Sequence, residues 1–339
     1  MKKLYLITGG TGHLGQNVIR LLLQEKDPDM TIRVLALPSD RTPLPPGVER
    51  VDGDVCAADS MRLFFQADGY DETVLFHLAA IITIASKPNP AVWRVNVEGT
   101  GNVMEMALRH HVDRAVYVSS VHAIPEKPLP DKITEMAHFS PESVQGQYAK
   151  SKAAAAEIVL QYAKRGLNVS IVHPSGIIGP GDTLLNNHMT RTIAAIASGR
   201  IPVSIAGGYD FVDVRDVAKG ILQCEAKGKA GECYILSGHY TTVRDLMKII
   251  SGYTGRGFLP LRIPKGFLRA AAVLGEWFAK ALHRRPLFTP YSMATLQTNA
   301  FFSNLKARRE LGFRARPLRR TVQNVLRSLG YRKRVRSTI

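Results

Sequence analysis

The first half of the chain alternates two patterns of apolar and polar residues. Short runs rich in Val, Ile and Leu predict β-strands, and longer segments with an apolar residue every three or four positions predict amphipathic helices. Strands separated by helices are typical of a parallel sheet covered on both faces. The predicted strands cover 3–9, 31–37, 48–54, 73–80, 114–120 and 168–174, and the predicted helices cover 14–26, 60–67, 91–110 and a segment from about 147. The pattern therefore predicts an α/β fold with a doubly wound parallel sheet.

The pattern changes near residue 180. From there on, turns rich in glycine and proline separate helices without a regular succession of strands. We expect residues 1–180 to form the first domain, with a strand and a helix that return to it at about 209–240. Residues 181–330 then form mainly a smaller C-terminal domain that binds the substrate, and 331–339 form a basic tail.

Three glycines, Gly9, Gly12 and Gly15, follow the first predicted strand at intervals of three residues. Between a strand and a helix, the first glycine permits a tight turn, the second lets a diphosphate approach the backbone, and the third lets the helix pack closely. The free N–H groups at the start of the helix attract the anion. A glycine-rich turn after a strand is common by itself, but this context predicts a dinucleotide site.

The end of the second predicted strand bears on the choice between NAD and NADP. An acidic residue there binds a ribose 2′-hydroxyl and a basic residue binds a 2′-phosphate, but the chain has Leu37 and Pro38. Ser39 and Arg41 lie just beyond and are candidates for the phosphate, so we favour NADP; an ordinary polar loop is the alternative. Asp54, after the third strand, is placed either to contact the adenine amino group or to cap the next helical segment.

Tyr148 and Lys152 stand four residues apart, on one face of a predicted helix that continues into four alanines. A free tyrosine has a pKa near 10, and an ammonium group one helical turn away stabilises the phenolate. The phenol thereby becomes a better acid and base at neutral pH. Ser120 ends the fifth predicted strand, at the sheet edge where ligands bind, and its hydroxyl is placed to polarise a substrate oxygen.

Together these segments resemble the extended short-chain dehydrogenase/reductase family, which includes sugar-nucleotide epimerases and dehydratases, dihydroflavonol reductases and 3β-hydroxysteroid dehydrogenases. The resemblance covers about residues 2–330. It rests on "TGGTGHLG" (8–15), Asp54, "HLAA" (77–80), "VNVEGT" (95–100), "YVSS" (117–120), "YAKSK" (148–152), "HPSGIIGPGD" (173–182) and "FVDVRDVAKG" (211–220).

The resemblance implies a Rossmann-type domain and assigns roles to individual residues. Tyr148 is the expected catalytic acid and base, Lys152 its electrostatic partner and ribose ligand, and Ser120, in preference to Ser119, the hydroxyl that polarises the substrate. "HLAA" is expected to line the adenine ribose, and Pro174 and Ile177 the nicotinamide amide. The full expected cofactor set is Gly9, Thr11, Gly12, His13, Leu14, Gly15, Ser39, Arg41, Asp54, Val55, Leu78, Ala79, Ala80, Asn96, Tyr148, Lys152, Pro174 and Ile177.

One segment departs from the pattern of the epimerases. They follow the serine with a small residue and a "VYG" turn, whereas this chain has "SSVHAIPEKP". His122 is close enough to the expected pocket to contact substrate. A structural role in the loop is the alternative that we favour, and we assign it no catalytic role.

The second half bears on the substrate. Apolar residues at helical spacing in 262–285 predict an amphipathic helix, which either packs on the domain or forms a lid for an apolar substrate at a membrane surface. An apolar segment here resembles the steroid and flavonoid reductases. We therefore expect oxidation and reduction between a secondary alcohol and a ketone on an apolar ring compound. A sugar-nucleotide epimerase or dehydratase with tightly bound NAD, and a non-catalytic dinucleotide sensor, are the alternatives.

Charge and cysteine content restrict partners and compartment. The formal net charge is +17, of which the residues from Lys306 onward contribute +11, so the basicity is largely C-terminal. We expect a solvated tail there, with an anionic membrane surface as the alternative; nucleic acid is not expected, because aromatic residues do not interleave. Three cysteines without metal-type spacing, no signal peptide and no apolar run long enough for a span favour a cytoplasmic protein without metal. The family resemblance also implies a homodimer.

Overall fold

A computed structural model of the chain describes residues 1–85, 88–182, 185, 187–201, 204, 206–258 and 295–333. The amphipathic helix predicted over 262–285 lies outside the described residues, as do 334–339 of the basic tail. Within the described ranges, no helix is both long and apolar enough to cross a bilayer.

The main sheet has seven strands, and every neighbouring pair is parallel. Its order is β3-β2-β1-β4-β5-β6-β9, so the chain reverses direction across the sheet between β1 and β4. Ligands bind at such a switch point, at the carboxyl ends of the strands. The strands are β1 (Lys3–Thr8), β2 (Met30–Ala36), β3 (Val48–Asp52), β4 (Glu72–His77), β5 (Arg114–Val118), β6 (Val169–Pro174) and β9 (Cys233–Leu236). The predicted α/β, doubly wound fold is confirmed.

Two apolar cores lie on opposite faces of the sheet because side chains alternate along each strand. Leu4 and Leu6 of β1 pack into one core, and Tyr5 and Ile7 pack into the other. Helices α1 (His13–Glu25) and α7 (Val214–Lys227) cover the second of these cores, and α4 (Gly99–Arg109) and α5 (Gln147–Lys164) cover the first. The further helices are α2 (Arg62–Phe65), α3 (Pro90–Trp93), α6 (His188–Ala197), α8 (Val243–Thr254) and α9 (Leu318–Ser328).

A small second sheet has the order β10-β8-β7, from β7 (Gly176–Ile178), β8 (Gly208–Asp213) and β10 (His239–Thr242). Helix α9 returns to this region, where the hydroxyl of Thr321 donates to the buried carboxylate of Asp213 at 2.7 Å. Since β8 follows α6 and precedes α7, the chain passes from the second sheet back to the main one. The substrate-binding role of this part stays a prediction.

One predicted helix is less regular than its apolar pattern indicates. Between α3 and α4, Arg94–Glu98 form one wide turn, a π-helical turn in which each N–H bonds to the carbonyl five residues earlier. The Thr100 hydroxyl donates to the Asn96 carbonyl at 2.7 Å and takes the place of a backbone donor. The wide turn places the side chain of Asn96 inside the protein, next to the site described below.

Candidate active site

The glycine loop has the geometry that a diphosphate requires. Gly9 has φ +70, and a Cβ there would lie 2.7 Å from the Ala79 nitrogen, so only glycine fits without strain. A Cβ at Gly15 would lie 2.3 Å from the Gly9 oxygen, so the absence of a side chain there lets α1 pack closely against the loop. Helix α1 begins without a side-chain cap or an acidic residue in its first turn, and Gly12 is exposed there. These residues fit the dinucleotide that the sequence predicts.

Side chains near the start of α1 hold the loop in place. The His13 ring, through Nε2, donates to the Pro180 carbonyl at 3.0 Å and so ties the loop to the segment after β7. Thr11 and Leu14 are half-buried beside it. His13 therefore joins the glycine loop to the segment after β7, and its predicted role as a cofactor residue stays a prediction.

The loop after β2 carries the candidates for 2′-phosphate binding. Ser39 and Arg41 are both exposed. Arg50 holds the loop, because its guanidinium donates to the carbonyl oxygens of Leu37 and Asp40 at 3.0 and 2.8 Å. Sequence reasoning missed both Arg50, which lies on β3, and Asp40.

Asp40 brings a negative charge close to the glycine loop. Burial alone would raise the pKa of its carboxyl, but hydrogen bonds from Thr42 and Thr11 and the charge of Arg50 hold the pKa below its ordinary value. An ionised carboxylate next to Thr11 is the type of group that accepts a ribose hydroxyl. The loop after β2 thus carries one anionic group, Asp40, and one cationic group, Arg41, at the end of the site where the adenine ribose is expected.

Asp54 and Val55 form the wall beyond β3. One carboxylate oxygen of Asp54 accepts from the Cys56 N–H at 2.9 Å, so it closes a turn, while the next helical turn begins only at Ala58. The Asp54 side chain is half-buried. Val55 is buried against Gly99, where a Cβ would meet its side chain at 2.8 Å.

The loop after β4 is held by Asn96, which is fully buried. Its side-chain oxygen accepts from the Ile81 N–H at 2.7 Å, and its nitrogen donates to the Ile81 carbonyl and to the Ser151 hydroxyl, both at 3.0 Å. Leu78, Ala79 and Ala80 are half-buried in this loop. Asn96 thus holds the loop to α5, and its predicted contact with the cofactor stays a prediction.

Lys152 is buried, with 2% of its surface exposed. Its ammonium donates to the Val118 carbonyl at 2.9 Å and to the Tyr117 hydroxyl at 3.2 Å. Burial lowers the pKa of Lys152 to about 7, and among the described residues no carboxylate pairs with it. Two of its three donors are satisfied by protein, which leaves one for a bound group.

Tyr148 is 9% exposed and lies between Lys152 and an aromatic cluster. Burial, and to a smaller extent the charge of nearby Tyr148, raises the pKa of the Tyr117 phenol. On the other side the Tyr148 ring meets the His122 ring edge-on, with centroids 6.0 Å apart. The His122 ring stacks on Tyr209 of β8 at 5.7 Å, and its Nε2 lies 3.0 Å from the Tyr209 hydroxyl. Burial lowers the pKa of His122 to about 4, so the imidazole is neutral at pH 7.

Ser120 is oriented as a hydrogen-bond donor. In the part of the chain that the structure describes, its Oγ accepts from the His122 N–H at 3.2 Å and donates to no acceptor, so the hydroxyl proton is available to a bound oxygen. Its carbonyl accepts from His173 Nδ1 at 3.0 Å. Both histidines therefore fix Ser120, one through its backbone and the other through its ring.

Pro174 ends β6, at the carboxyl edge of the main sheet, and Ile177 follows on β7 of the second sheet. Pro174 is buried, and Ile177 is half-buried with its carbonyl accepting from the Asn187 side chain at 3.1 Å. His122 contacts both Ser120 and Tyr148, and Lys152 lies one turn after Tyr148 on α5, with the glycine loop and Pro174 on the same edge of the main sheet. Sequence reasoning assigned no role of its own to Tyr117, which stands in "YVSS", or to Tyr209, and it placed His77 only within "HLAA", as part of the adenine ribose lining.

Comparisons with known proteins agree with this geometry. A sequence model of the NAD dependent epimerase/dehydratase family matches residues 5–237. Sterol demethylase protein B of Methylococcus capsulatus is 32% identical over 91% of this chain and 92% of its own length. The 4-hydroxy-2-methyl-3-oxo-4-farnesyl-3,4-dihydroquinoline-1-oxide ketoreductase of Stigmatella aurantiaca is 28% identical over 96% of each chain.

Among solved structures, the crystal structure of gox2253 superposes with a TM-score of 0.80 at 31% identity and covers 98% of this chain and 99% of that one. The similarity extends over both sheets. The resemblance inferred from the sequence motifs is confirmed by these matches, because they cover nearly the whole chain rather than the glycine loop alone.

Proposed function

Since the chain belongs to the NAD dependent epimerase/dehydratase family, we propose that it interconverts a secondary alcohol and a ketone on an apolar ring compound. It is an enzyme of the extended short-chain dehydrogenase/reductase type. The observation that carries the proposal is the convergence of a free serine proton, a phenol and a buried ammonium at the carboxyl edge of the sheet.

Each of the three side chains has one task in the reaction. A bound nicotinamide supplies or accepts the hydride. Ser120 donates a hydrogen bond to the substrate oxygen and stabilises the charge that develops there. Tyr148 gives its proton to the same oxygen in the direction of reduction and takes it back in the direction of oxidation. Lys152 stabilises the phenolate that remains after the proton has left.

Two observations support an apolar ring substrate. The relatives reported above are named for a sterol and for a ketone on a farnesylated ring. Beside Tyr148, the rings of His122 and Tyr209 begin an aromatic cluster. It continues with Phe211 and Phe302, whose ring centroids lie 6.0 and 6.2 Å from that of Tyr209. A neutral, aromatic wall of this kind suits a ring compound better than a charged sugar nucleotide.

For the cofactor, the family is NAD-dependent, and the preference for NADP is our proposal. Exposed Ser39 and Arg41 support it, because a guanidinium binds phosphate in a planar, bidentate manner. Asp40 is the opposing feature, since its carboxylate favours a 2′-hydroxyl. A homodimer and contact with a membrane surface also stay proposals, based on the family resemblance and on the C-terminal charge.

The test is turnover of a panel of steroid and flavonoid ketones with NADPH and NADH, followed by nicotinamide absorbance. The matched variants are Ser120→Ala and Ser119→Ala, which remove adjacent buried hydroxyls. We expect Ser120→Ala to lower kcat by about 10² to 10³, as for loss of one oxyanion donor, and Ser119→Ala to retain most activity.

Two results would contradict the proposal. Absence of any absorbance change with every member of the panel is the first. Purified protein that carries stoichiometric NAD and converts a sugar nucleotide without net oxidation is the second, and it would favour the epimerase or dehydratase reaction.

A further inference from the structure

Lys152 contacts a tyrosine other than Tyr148, namely Tyr117. Its ammonium lies 3.2 Å from the Tyr117 hydroxyl and 4.9 Å from the centroid of the Tyr117 ring. Tyr117 is fully buried on β5, three residues before Ser120. The same side chain therefore contacts the lysine through both its oxygen and its ring face.

The Tyr117 ring is itself held by a buried histidine. His77, at the end of β4, stacks on it with centroids 5.5 Å apart and planes inclined by 25°. Burial and the charge of Lys152 lower the pKa of His77 to about 3, so the imidazole is neutral. A neutral ring adds no repulsion to the ammonium beside it.

Hydrogen bonds at both ring nitrogens fix the orientation and tautomer of His77. Thr100 Oγ1 gives its proton to the Asn96 carbonyl, so at 3.0 Å it accepts from His77 Nε2. Nδ1 is then the unprotonated nitrogen, and it accepts from the Thr8 hydroxyl at 2.6 Å. Thr8 directly precedes the glycine loop and accepts from the Ala79 N–H at 3.3 Å. The ring cannot turn without breaking a buried hydrogen bond.

We propose that Tyr117 is a positioning residue for Lys152, which it holds beside Tyr148 with one N–H donor directed to the cofactor. The hydroxyl and the Val118 carbonyl occupy two donors of a side chain that otherwise has many rotamers. His77 links this arrangement to the strand that carries the glycine loop. The inference rests on the proposed function for its catalytic consequence, but the contact itself exists in the protein without cofactor.

The first experiment is a double-mutant cycle on stability, which needs neither substrate nor cofactor. Urea unfolding of the nucleotide-free protein is measured at pH 6 for wild type, Tyr117→Phe, Lys152→Met and the double variant. Tyr117→Phe keeps the ring and its stacking on His77, so it should fold. We expect its unfolding midpoint to fall when Lys152 is present and to change little in the Lys152→Met background. Equal changes in both backgrounds would overturn the proposal.

The second experiment measures the cofactor affinity and the kinetics of the same variants. Tyr117→Phe should weaken reduced-cofactor binding about tenfold, the effect of one hydrogen bond to a charged group, and lower kcat without changing the substrate KM. In the Lys152→Met background it should have no further effect on binding. The control is Tyr234→Phe, since Tyr234 is equally buried, has Lys306 4.8 Å from its ring centroid and lies on β9.

The outcomes separate this inference from the proposed function. An unchanged cofactor affinity in Tyr117→Phe, or an equal loss in Tyr234→Phe, contradicts the positioning role. If the stability cycle shows coupling between Tyr117 and Lys152 but the protein reduces no ketone, the contact between the two residues is supported. Only the reaction proposed above is then contradicted.

Discussion

Replacing Lys152 with methionine should stabilise the folded protein in acid and progressively less in base. Lys152 has a pKa of 10.5 in the unfolded chain and about 7 in the folded protein, because burial disfavours its charged form. At 1.36 kcal/mol per pH unit, this difference corresponds to about 5 kcal/mol of native-state destabilisation wherever both states carry the charge.

The pH dependence follows from proton linkage. Between pH 7 and 10.5 the unfolded chain binds a proton at this lysine and the folded protein does not, so wild-type stability rises with pH across that window. The Lys152→Met variant lacks this rise. Its stability relative to wild type should therefore be about 3 kcal/mol more favourable at pH 6 than at pH 9.

Urea unfolding of nucleotide-free protein, followed by circular dichroism at both pH values, measures the difference. Lys150→Met is the control, because Lys150 is exposed on the same helix, and this variant should differ from wild type by less than about 0.5 kcal/mol. The reasoning is refuted if Lys152→Met is destabilised at pH 6, or if its advantage is the same at pH 6 and pH 9.

Three further substitutions test other parts of the site. Gly9→Ala should lower the cofactor affinity, measured by titration, more than about tenfold, because the added Cβ clashes with Ala79 and the residue keeps a strained positive φ. Gly69→Ala is the control, because its φ is also positive but its Cβ would lie in open space; it should lower the melting temperature and leave the cofactor affinity unchanged. Arg41→Ala should weaken NADPH binding about tenfold and leave NADH unchanged; equal loss of both would remove Arg41 from the 2′-phosphate site. Tyr209→Phe should lower kcat about threefold to tenfold at unchanged cofactor affinity, because it removes the hydrogen-bond partner that fixes His122; an unchanged kcat would show that the contact is structural.

The sheet could be predicted from the sequence because most buried parallel strands consist of nearly continuous apolar residues. All six strands predicted in the first half are present, and the seventh, β9, joins the edge of the sheet beside β6. The glycine loop and the pair Tyr148 and Lys152 were recognisable for a similar reason. Their function depends on spacing within a single turn or helix, which a sequence displays directly.

The remaining parts of the site depend on contacts between residues distant in the chain. Lys152 and Tyr117 are 35 residues apart, and His122 and Tyr209 are 87 residues apart. No local periodicity encodes either contact, because each one forms only when the strands and helices have packed. Asp40 was missed for a different reason: its importance comes from the hydrogen bond between its carboxylate and Thr11 of the glycine loop.

The most direct test of the account is single-turnover hydride transfer in the Tyr148→Phe variant, followed by nicotinamide absorbance with a ketone that the wild type reduces. If the phenol supplies the proton, the transfer rate should fall by about 10² to 10⁴ while the affinity for the reduced cofactor stays within about twofold of wild type. A variant that transfers hydride at the wild-type rate would contradict the account.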